Sequence, residues 1–235
     1  MKFLLIILYS CVVFAFNAPF SSKKFQDILS KAKLQAPTSS YNPMFSRKYG
    51  DFKGYYNKYF YMISDNMIFY MCGNHKRSEL RFKNIWKTST KEEKILFAKV
   101  KLVPLTVKKE FTFLQIHADT TLPDMPSINK PLLRIIWHSY LRGRKNHIWA
   151  VIRLSPSEYA NKYLKVDLGR MPAGFFTIKI VVRNNILKVF FNNKEKVKLN
   201  VGYWSKYYNY FKAGVYLQDK GCAKAIFNKL IIKDE

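Results

Sequence analysis

The stretch "YFKAGVYLQ", from Tyr210 to Gln218, alternates between polar and apolar side chains with a period of two. Such alternation predicts a β-strand with one face on a core and the other face in solvent or in a cleft. For this strand taken alone, an ordinary exposed sheet face remains the alternative. The polar set is Tyr210, Lys212, Gly214, Tyr216 and Gln218, and the apolar set is Phe211, Ala213, Val215 and Leu217.

Short β-rich runs of this kind follow one another from Tyr59 to the C-terminus, separated by clusters of turn residues. Asp65-Asn66 is a predicted two-residue hairpin turn between two of these runs. So many short strands predict an all-β fold, a β-sandwich or jelly roll, in a single domain. Ahead of them, Lys23 to Leu34 has a few apolar residues in a polar segment, which predicts a short N-terminal helix.

Residues 1–18 have the composition of a secretory signal peptide. The apolar run from Phe3 to Phe16 is shorter than the roughly 20 residues of a membrane span, and Ala15 and Ala18 offer cleavage positions. The alternative is a buried N-terminal strand or a membrane anchor. We therefore expect a secreted, extracellular protein with no stable membrane insertion after signal removal. Residues 19–55 would form an N-terminal extension, and 56–235 the main domain.

The chain carries a strong excess of positive charge. Its 41 Lys and Arg residues against 15 Asp and Glu give a formal net charge of +26, spread along the whole sequence. Such a field attracts acidic ligands, so we expect a polyanionic partner. Nucleic acid, anionic lipid surfaces and acidic polysaccharide are the candidates. Export disfavours nucleic acid, and the sequence shows no recognisable nucleic-acid-binding motif.

Two further segments have the same kind of polar face as the opening stretch. "RSELR" places Arg77, Glu79 and Arg81 on one face, and "FLQIH" places Gln115 and His117 on one face. Ordinary solvated faces favour Lys, Glu, Thr and Ser, whereas these faces carry groups that bind carboxylates and move protons. If the three strands are neighbours, they form one cationic, hydrogen-bonding surface.

"RSELR", "QIH" and "YFKAGVYLQ", in this order and at these separations, resemble the three signature motifs of the family 7 polysaccharide lyases, the alginate lyase family. The resemblance extends from about Tyr59 to the C-terminus and leaves the N-terminal helix outside. It implies that 56–235 is a polysaccharide lyase jelly-roll domain, a concanavalin-like sandwich of two antiparallel sheets. The substrate, an anionic polysaccharide of uronic acids, would lie along the concave sheet.

The resemblance also implies a reaction, β-elimination at a uronic acid residue, and a role for each motif residue. Arg77 and Gln115 would neutralise the substrate carboxylate, which stabilises the charge that develops when the C5 proton leaves. His117 and Tyr216 match the proton-transfer pair, with nearby cations favouring the tyrosine phenolate. His117 either orients this exchange or is itself the base for the opposite C5 stereochemistry. No cofactor and no metal is expected, and we expect a monomer.

The remaining site residues have supporting roles in this interpretation. Glu79 and Arg81 would form an ion pair that holds Arg77, because a carboxylate aimed at a polyuronate would repel it. Lys212, Tyr210 and Gln218 would line the groove and bind neighbouring sugars. The family usually has an asparagine five positions ahead of the arginine motif. Here Cys72 stands at that position, and Asn74 is the displaced substitute.

Two cysteines remain after signal removal, Cys72 and Cys222. In an oxidising compartment they are a plausible disulfide, although their spacing alone does not show that they meet. Because they flank the arginine and tyrosine motifs, the family resemblance implies that they pair and brace the catalytic sheet.

Two alternatives stay open at this point. The groove could belong to a catalytically inactive, lectin-like module that binds anionic polysaccharide. Separately, one strand carries a polar face that either extends the groove or is only a solvated or convex surface. The residues of that face are Arg134, His138, Tyr140 and Arg142.

Overall fold

The computed structural model describes residues 16–40, 46–157, 159 and 161–235. Within these residues the chain forms two antiparallel sheets, one helix and two short 3₁₀ turns (Pro19–Ser21 and Gly202–Trp204). The elements are α1 (Lys23–Ser30), β1 (Ala32–Gln35), β2 (Phe60–Ile63), β3 (Asn66–Gly73), β4 (Arg77–Phe82), β5 (Trp86–Lys87), β6 (Lys94–Pro104), β7 (Glu110–Ala118), β8 (Pro131–Leu141), β9 (Arg144–Arg153), β10 (Tyr163–Arg170), β11 (Phe176–Arg183), β12 (Ile186–Phe191), β13 (Lys194–Asn200), β14 (Tyr208–Leu217) and β15 (Gly221–Asp234).

The two sheets pack face to face over one hydrophobic core. The front sheet has the order β1-β4-β14-β7-β8-β9-β10, with β5 also paired to β14, and the back sheet has the order β13-β12-β11-β6-β15-β3-β2. Apolar residues of alternating strand positions, such as Phe211, Val215 and Leu80, face the core and are fully or almost fully buried. This arrangement confirms the predicted all-β jelly roll.

The three motif strands lie side by side in the front sheet. Strand β14 is flanked by β4 on one side and by β7 on the other. Lys212 is opposite both Arg81 of β4 and Gln115 of β7, and Tyr216 is opposite Arg77. The polar faces of the three segments therefore share one surface, as the sequence predicts.

The N-terminal segment is built into this sheet. Helix α1 buries Phe25 and two other apolar residues as expected, but it ends at Ser30, so the predicted helical extent to Leu34 is wrong. Residues Ala32–Gln35 form β1 instead, which extends the front sheet by pairing with β4. The first hairpin turn is also displaced by one residue from the prediction, since Ser64 and Asp65 have the positive φ angles that its tight turn requires.

The predicted signal peptide lies largely outside the described residues, which begin at Phe16. Asn17 exchanges two backbone hydrogen bonds with Met62 of β2, at 2.8 and 3.1 Å, and Phe16 packs on Tyr61. Among the described residues, no helix combines the length and the apolar character needed to span a bilayer.

Cys72 and Cys222 are bonded to each other, as the family resemblance implies. They are opposite residues of β3 and β15, so the disulfide lies in the back sheet and the prediction that it braces the catalytic sheet is wrong. The reason is that both cysteines lie beyond the motif strands, where the chain has already crossed to the other layer. The bond closes the end of the sandwich next to the turns that lead into β4 and out of β14.

Candidate active site

A cleft of about 320 Å³ opens on the polar face of the front sheet. All four predicted catalytic side chains, from three neighbouring strands, contribute to its wall. The lining residues are His75, Arg77, Gln115, His117, Asn129, Lys130, Pro131, Arg134, Tyr163, Tyr216 and Gln218.

Glu79 lies beneath the cleft and accepts hydrogen bonds from three neighbouring side chains. Its carboxylate is fully buried. Gln115 Nε2 donates to Oε1 at 2.5 Å, Lys212 Nζ donates to Oε2 at 2.6 Å, and Arg77 Nη1 lies 3.4 Å from Oε2. The carboxylate thus holds both predicted carboxylate-binding side chains, Arg77 and Gln115, from below the floor of the cleft.

The Glu79–Lys212 pair is an ionic contact with almost no exposure to water. Burial alone would raise the pKa of Glu79, but the charges of Lys212 and Arg77 outweigh it and hold that pKa below its usual value. Burial lowers the pKa of Lys212 to about 8, in spite of the opposing effect of Glu79. Lys212 is only 1% exposed, so its predicted role as a groove-lining, sugar-binding residue is wrong.

His117 is held as a neutral imidazole. Its Nδ1 lies 2.8 Å from the backbone carbonyl oxygen of Ala118, which can only accept, so the proton is on Nδ1 and the lone pair is on Nε2. Burial, and then the positive charge of Lys212, lowers the pKa of His117 to about 4. The imidazole therefore presents an unprotonated nitrogen at neutral pH, and it stacks on the Tyr210 ring at 5.6 Å.

Tyr216 lies against the guanidinium group of Arg77, with 4.4 Å between the guanidinium carbon and the ring centroid. Arg77 is the cation in contact with this ring, whereas Lys212 is bound to Glu79 and Arg81 lies over Tyr210. Arg77 Nε is buried and has no hydrogen-bond partner among the described residues, whereas the guanidinium group as a whole lines the cleft.

Arg81 belongs to a second ionic cluster beside the cleft. Its Nη2 donates to Asp119 Oδ1 at 2.9 Å, and its guanidinium carbon lies 4.0 Å from the centroid of Tyr210. The predicted Glu79–Arg81 ion pair is therefore wrong, although Glu79 does contact Arg77 as proposed. Tyr210 is 6% exposed and lies under these groups instead of lining the groove, and burial raises its pKa to about 12.

The other predicted binding residues divide between the cleft and its surroundings. Gln218 lines the cleft and donates from Nε2 to Thr112 Oγ1 at 2.5 Å, which leaves its amide oxygen without a partner among the described residues. Asn74 is exposed in the turn between β3 and β4 and is not a lining residue, whereas the adjacent His75 is.

The polar face of β8 extends the cleft at one end only. Arg134 lines the cleft opposite Gln115, and its Nη1 lies 3.4 Å from Glu110 Oε1. His138 is buried next to Glu110, and Tyr140 is 64% exposed outside the cleft. The groove interpretation thus holds for Arg134, and the solvated-face interpretation describes Tyr140.

Several lining residues carry no sequence signal that would have identified them. Asn129 and Lys130 precede β8 in a connection without a motif, and Tyr163 begins β10 in a segment that the sequence leaves undecided between helix and loop. In the part of the chain that the structure describes, no group of three or more His, Cys, Asp or Glu side chains could hold a metal ion.

A β-jelly roll whose polar sheet face gathers guanidinium, amide, imidazole and phenol groups around one cleft has the architecture of a polysaccharide lyase. The chain belongs to the alginate lyase family, polysaccharide lyase family 7, and the alginate lyase family model matches residues 27–234. The match begins inside α1, well ahead of Tyr59, so it includes β1 and extends further toward the N-terminus than expected.

Individual relatives agree with this assignment. An alginate lyase from a Photobacterium species is 32% identical over 90% of this chain and 86% of its own length. The solved structure of alginate lyase AlyC3 in complex with dimannuronate is 27% identical, with a TM-score of 0.83 over 95% of this chain and 98% of that one. Alginate lyase PA1167 from Pseudomonas aeruginosa, at 21% identity, shares the fold with a TM-score of 0.72 over 88% of this chain and 99% of its own.

Proposed function

We propose that this protein is a polysaccharide lyase that cleaves alginate, a uronic-acid polymer, by β-elimination. The observation that carries this proposal is the convergence of Arg77, Gln115, His117 and Tyr216 on one cleft. In the reaction, the C5 proton of a uronate leaves, a C4–C5 double bond forms, and the bond from C4 to the glycosidic oxygen breaks. The departing oxygen then takes up a proton.

The main energetic barrier is removal of a proton next to an ionised carboxylate, and cationic side chains of the cleft can lower it by binding that carboxylate. The Arg77 guanidinium group, which lines the cleft and is 18% exposed, can bind the substrate carboxylate together with the second amide hydrogen of Gln115. These groups are already fixed by Glu79, so little reorganisation is needed when negative charge moves onto the carboxylate in the transition state.

Proton transfer is assigned to the two groups that flank Gln115 along the sheet. In the register of β7 and β14, His117 is opposite Tyr210, whereas Tyr216 is opposite Thr112. Gln115 lies between these two positions along β7. We propose that Tyr216 donates the proton to the leaving oxygen. His117 Nε2, unprotonated at neutral pH, is available to accept the C5 proton of a uronate that presents this proton on its side.

Formation of unsaturated sugar ends, measured by their ultraviolet absorbance, tests this proposal. The unmutated protein is mixed with polymannuronate, polyguluronate, glucuronan and a glycosaminoglycan. We expect absorbance to rise with alginate blocks and Tyr216→Phe to abolish the rise. Tyr140→Phe makes the same chemical change on an exposed tyrosine outside the cleft and should leave activity intact. Binding to these polymers with no rise in absorbance would instead support the lectin-like module, which no observation favours at present.

We also propose that the chain acts outside the cell as a monomer. The N-terminal apolar run and the Cys72–Cys222 disulfide support export to an oxidising compartment. Cleavage after Ala15 would keep the backbone pairing of Asn17 with Met62, whereas cleavage after Ala18 would remove it. N-terminal sequencing of the exported protein should therefore find Phe16 first, and gel filtration should give the mass of a single chain.

A further inference from the structure

The outward surface of the back sheet carries most of its side-chain charge as lysine. We call this surface the outer face. Its lysines alternate along their strands with core residues, as Lys99 does between the buried residues Ala98 and Val100, so they point away from the core. The outer-face lysines are Lys99, Lys101, Lys179, Lys188, Lys198, Lys224, Lys229 and Lys233.

Several of these lysines are placed directly opposite one another. Lys99 of β6 pairs in register with Lys229 of β15, and Lys188 of β12 pairs with Lys198 of β13. Like charges opposite each other on one sheet face are destabilising. Within the described residues, Lys233 is the only one of these lysines that forms an ion pair, with Glu235 at 2.8 Å. The sheet thus tolerates a repulsion that an external anion would relieve.

A shallow apolar depression lies between these lysines. It has a volume of about 350 Å³ and combines Phe97, Ile95 and Ile231 with three lysines and one carboxylate, Glu235, which is paired with Lys233. Lys229 Nζ lies 5.8 Å from the centroid of the Phe97 ring. Lys179, opposite Phe97 in the register, also borders the depression. A ligand with an apolar face and negatively charged edges matches this pattern, and a chain of uronate rings has both features.

We propose that the outer face is a second binding surface for polyuronate, separate from the cleft, that holds the enzyme on its polymer. This inference rests on the proposed function, since the substrate supplies the ligand. The large exposed apolar side chains of the described residues all lie outside the back sheet's strands. The face therefore lacks a protruding apolar wedge of the kind that inserts into a lipid surface. Its rings, such as Phe97, are only partly exposed and lie in a depression, unlike the open platforms on which nucleic-acid bases stack.

A surface of this kind would increase the local concentration of the cleft along the polymer. When two sites on one body contact the same long chain, the second contact becomes intramolecular and release of the whole enzyme slows. The benefit is confined to substrates long enough to reach both sheets, so short oligouronates would gain nothing. This difference separates a second binding surface from a general electrostatic effect on the cleft.

The test uses an outer-face variant, Lys99→Gln, Lys179→Gln, Lys188→Gln and Lys229→Gln combined. A charge-matched control replaces four exposed loop lysines, Lys53, Lys83, Lys108 and Lys206, by glutamine. Both sets are introduced into the Tyr216→Phe protein, and binding to immobilised polymannuronate is measured with the cleft saturated by a short oligouronate. We expect about tenfold weaker binding for the outer-face variant, since each exposed ion pair contributes modestly, and a smaller loss for the control.

Turnover in the otherwise unmutated protein completes the test. The outer-face substitutions should leave kcat and KM for a short oligouronate unchanged and raise KM for the long polymer. The thermal stability of the outer-face variant should equal or exceed that of the parent, because the variant no longer has lysines directly opposite each other on the sheet. Equal binding by the outer-face and control variants would overturn the inference while lyase activity persists. The inference would also be overturned if the outer-face variant lost binding to phosphatidylserine vesicles or to duplex DNA but still bound polyuronate like the parent. Absence of unsaturated product from every polyuronate would instead count against the proposed function.

Discussion

The buried pair of Glu79 and Lys212 gives the sharpest prediction, because Glu79→Gln should destabilise the fold in a pH-dependent way. The substitution keeps the shape of the side chain but leaves the Lys212 ammonium, which is 1% exposed, without its counter-charge. Breaking a buried ion pair by removing one partner costs about 3–5 kcal/mol. An independent ceiling comes from neutralising Lys212: at pH 7 an ordinary lysine, with a pKa near 10.4, loses its proton at a cost of about 4.6 kcal/mol.

The sign of the pH dependence follows from the lysine. Burial places the folded-state pKa of Lys212 near 8, below that of the unfolded chain. Between about pH 8 and pH 10.4 the unfolded state therefore binds more protons than the folded state. The contribution of Lys212 to the unfolding free energy thus rises with pH in that window. In Glu79→Gln the pKa of Lys212 should fall further, so the window extends to lower pH. We expect the difference in unfolding free energy between parent and variant to shrink to less than half between pH 7 and pH 10.

Urea unfolding at the two pH values measures this difference directly. Glu92→Gln is the matched control, because Glu92 is an exposed carboxylate that also pairs with a lysine, Lys94, at 2.6 Å. That control should show little change at either pH. A loss of stability for Glu79→Gln that is equal at pH 7 and pH 10 would refute the reasoning, as would a variant as stable as the parent.

The double variant Glu79→Gln/Lys212→Met separates stability from catalysis. Removal of both charges should recover much of the lost stability, since an apolar replacement of a buried pair is often close to neutral. It should not restore activity, because Arg77 and Gln115 no longer share an ionised acceptor that fixes their positions. We expect kcat to stay about tenfold or more below that of the parent. Full recovery of kcat would show that Glu79 has no positioning role.

Three further predictions concern other parts of the molecule. If His117 accepts the C5 proton, kcat/KM should stay level down to about pH 4, where its imidazole becomes charged, and a fall centred at an ordinary histidine value would contradict this assignment. Replacing Cys72 and Cys222 by alanine should lower the unfolding free energy by about 4–5 kcal/mol, because the bond closes a loop of 150 residues, but should leave the activity of folded molecules unchanged. Gly214→Ala should destabilise the protein by at least about 2 kcal/mol in thermal or urea unfolding. The φ angle of Gly214 is +145°, and an added Cβ would overlap the carbonyl oxygen of Ser78. A variant as stable as the parent would show that β4 and β14 can separate at this point.

Local alternation made the strands and the wall of the cleft predictable. In "RSELR" and "FLQIH" the polar and apolar faces separate within five residues, which requires no knowledge of the rest of the fold. Ala32–Gln35, where the predicted helix is a strand, was one exception. Its four residues are too short to show a period, and pairing with β4 decides their conformation.

The partner of each charged side chain was less predictable, because it depends on register between strands that are distant in sequence. Glu79 and Arg81 share a face two residues apart, and we expected them to pair because a carboxylate aimed at a polyuronate would repel it. In the structure, Arg81 instead reaches Asp119, the residue directly after β7, which no pattern connects to β4. The disulfide shows the same limit, since the family resemblance implied the bond but not the sheet that contains it.

Gly214 allows β14 to lie close to β4 beside the support of the cleft. In the register of β4 and β14, the residue opposite Glu79 is Gly214, and a Cβ at this position would overlap the carbonyl oxygen of Ser78 and lie 2.7 Å from Glu79 Cα. Lys212, two residues away on β14, and Gln115 on β7 reach Glu79 while the strands are held this close. A larger residue at 214 would push β14 away from β4 and so disturb the contact between Lys212 and the carboxylate. The glycine within "YFKAGVYLQ" therefore belongs to the site as much as Tyr216 does, since it allows three strands to share one buried charge.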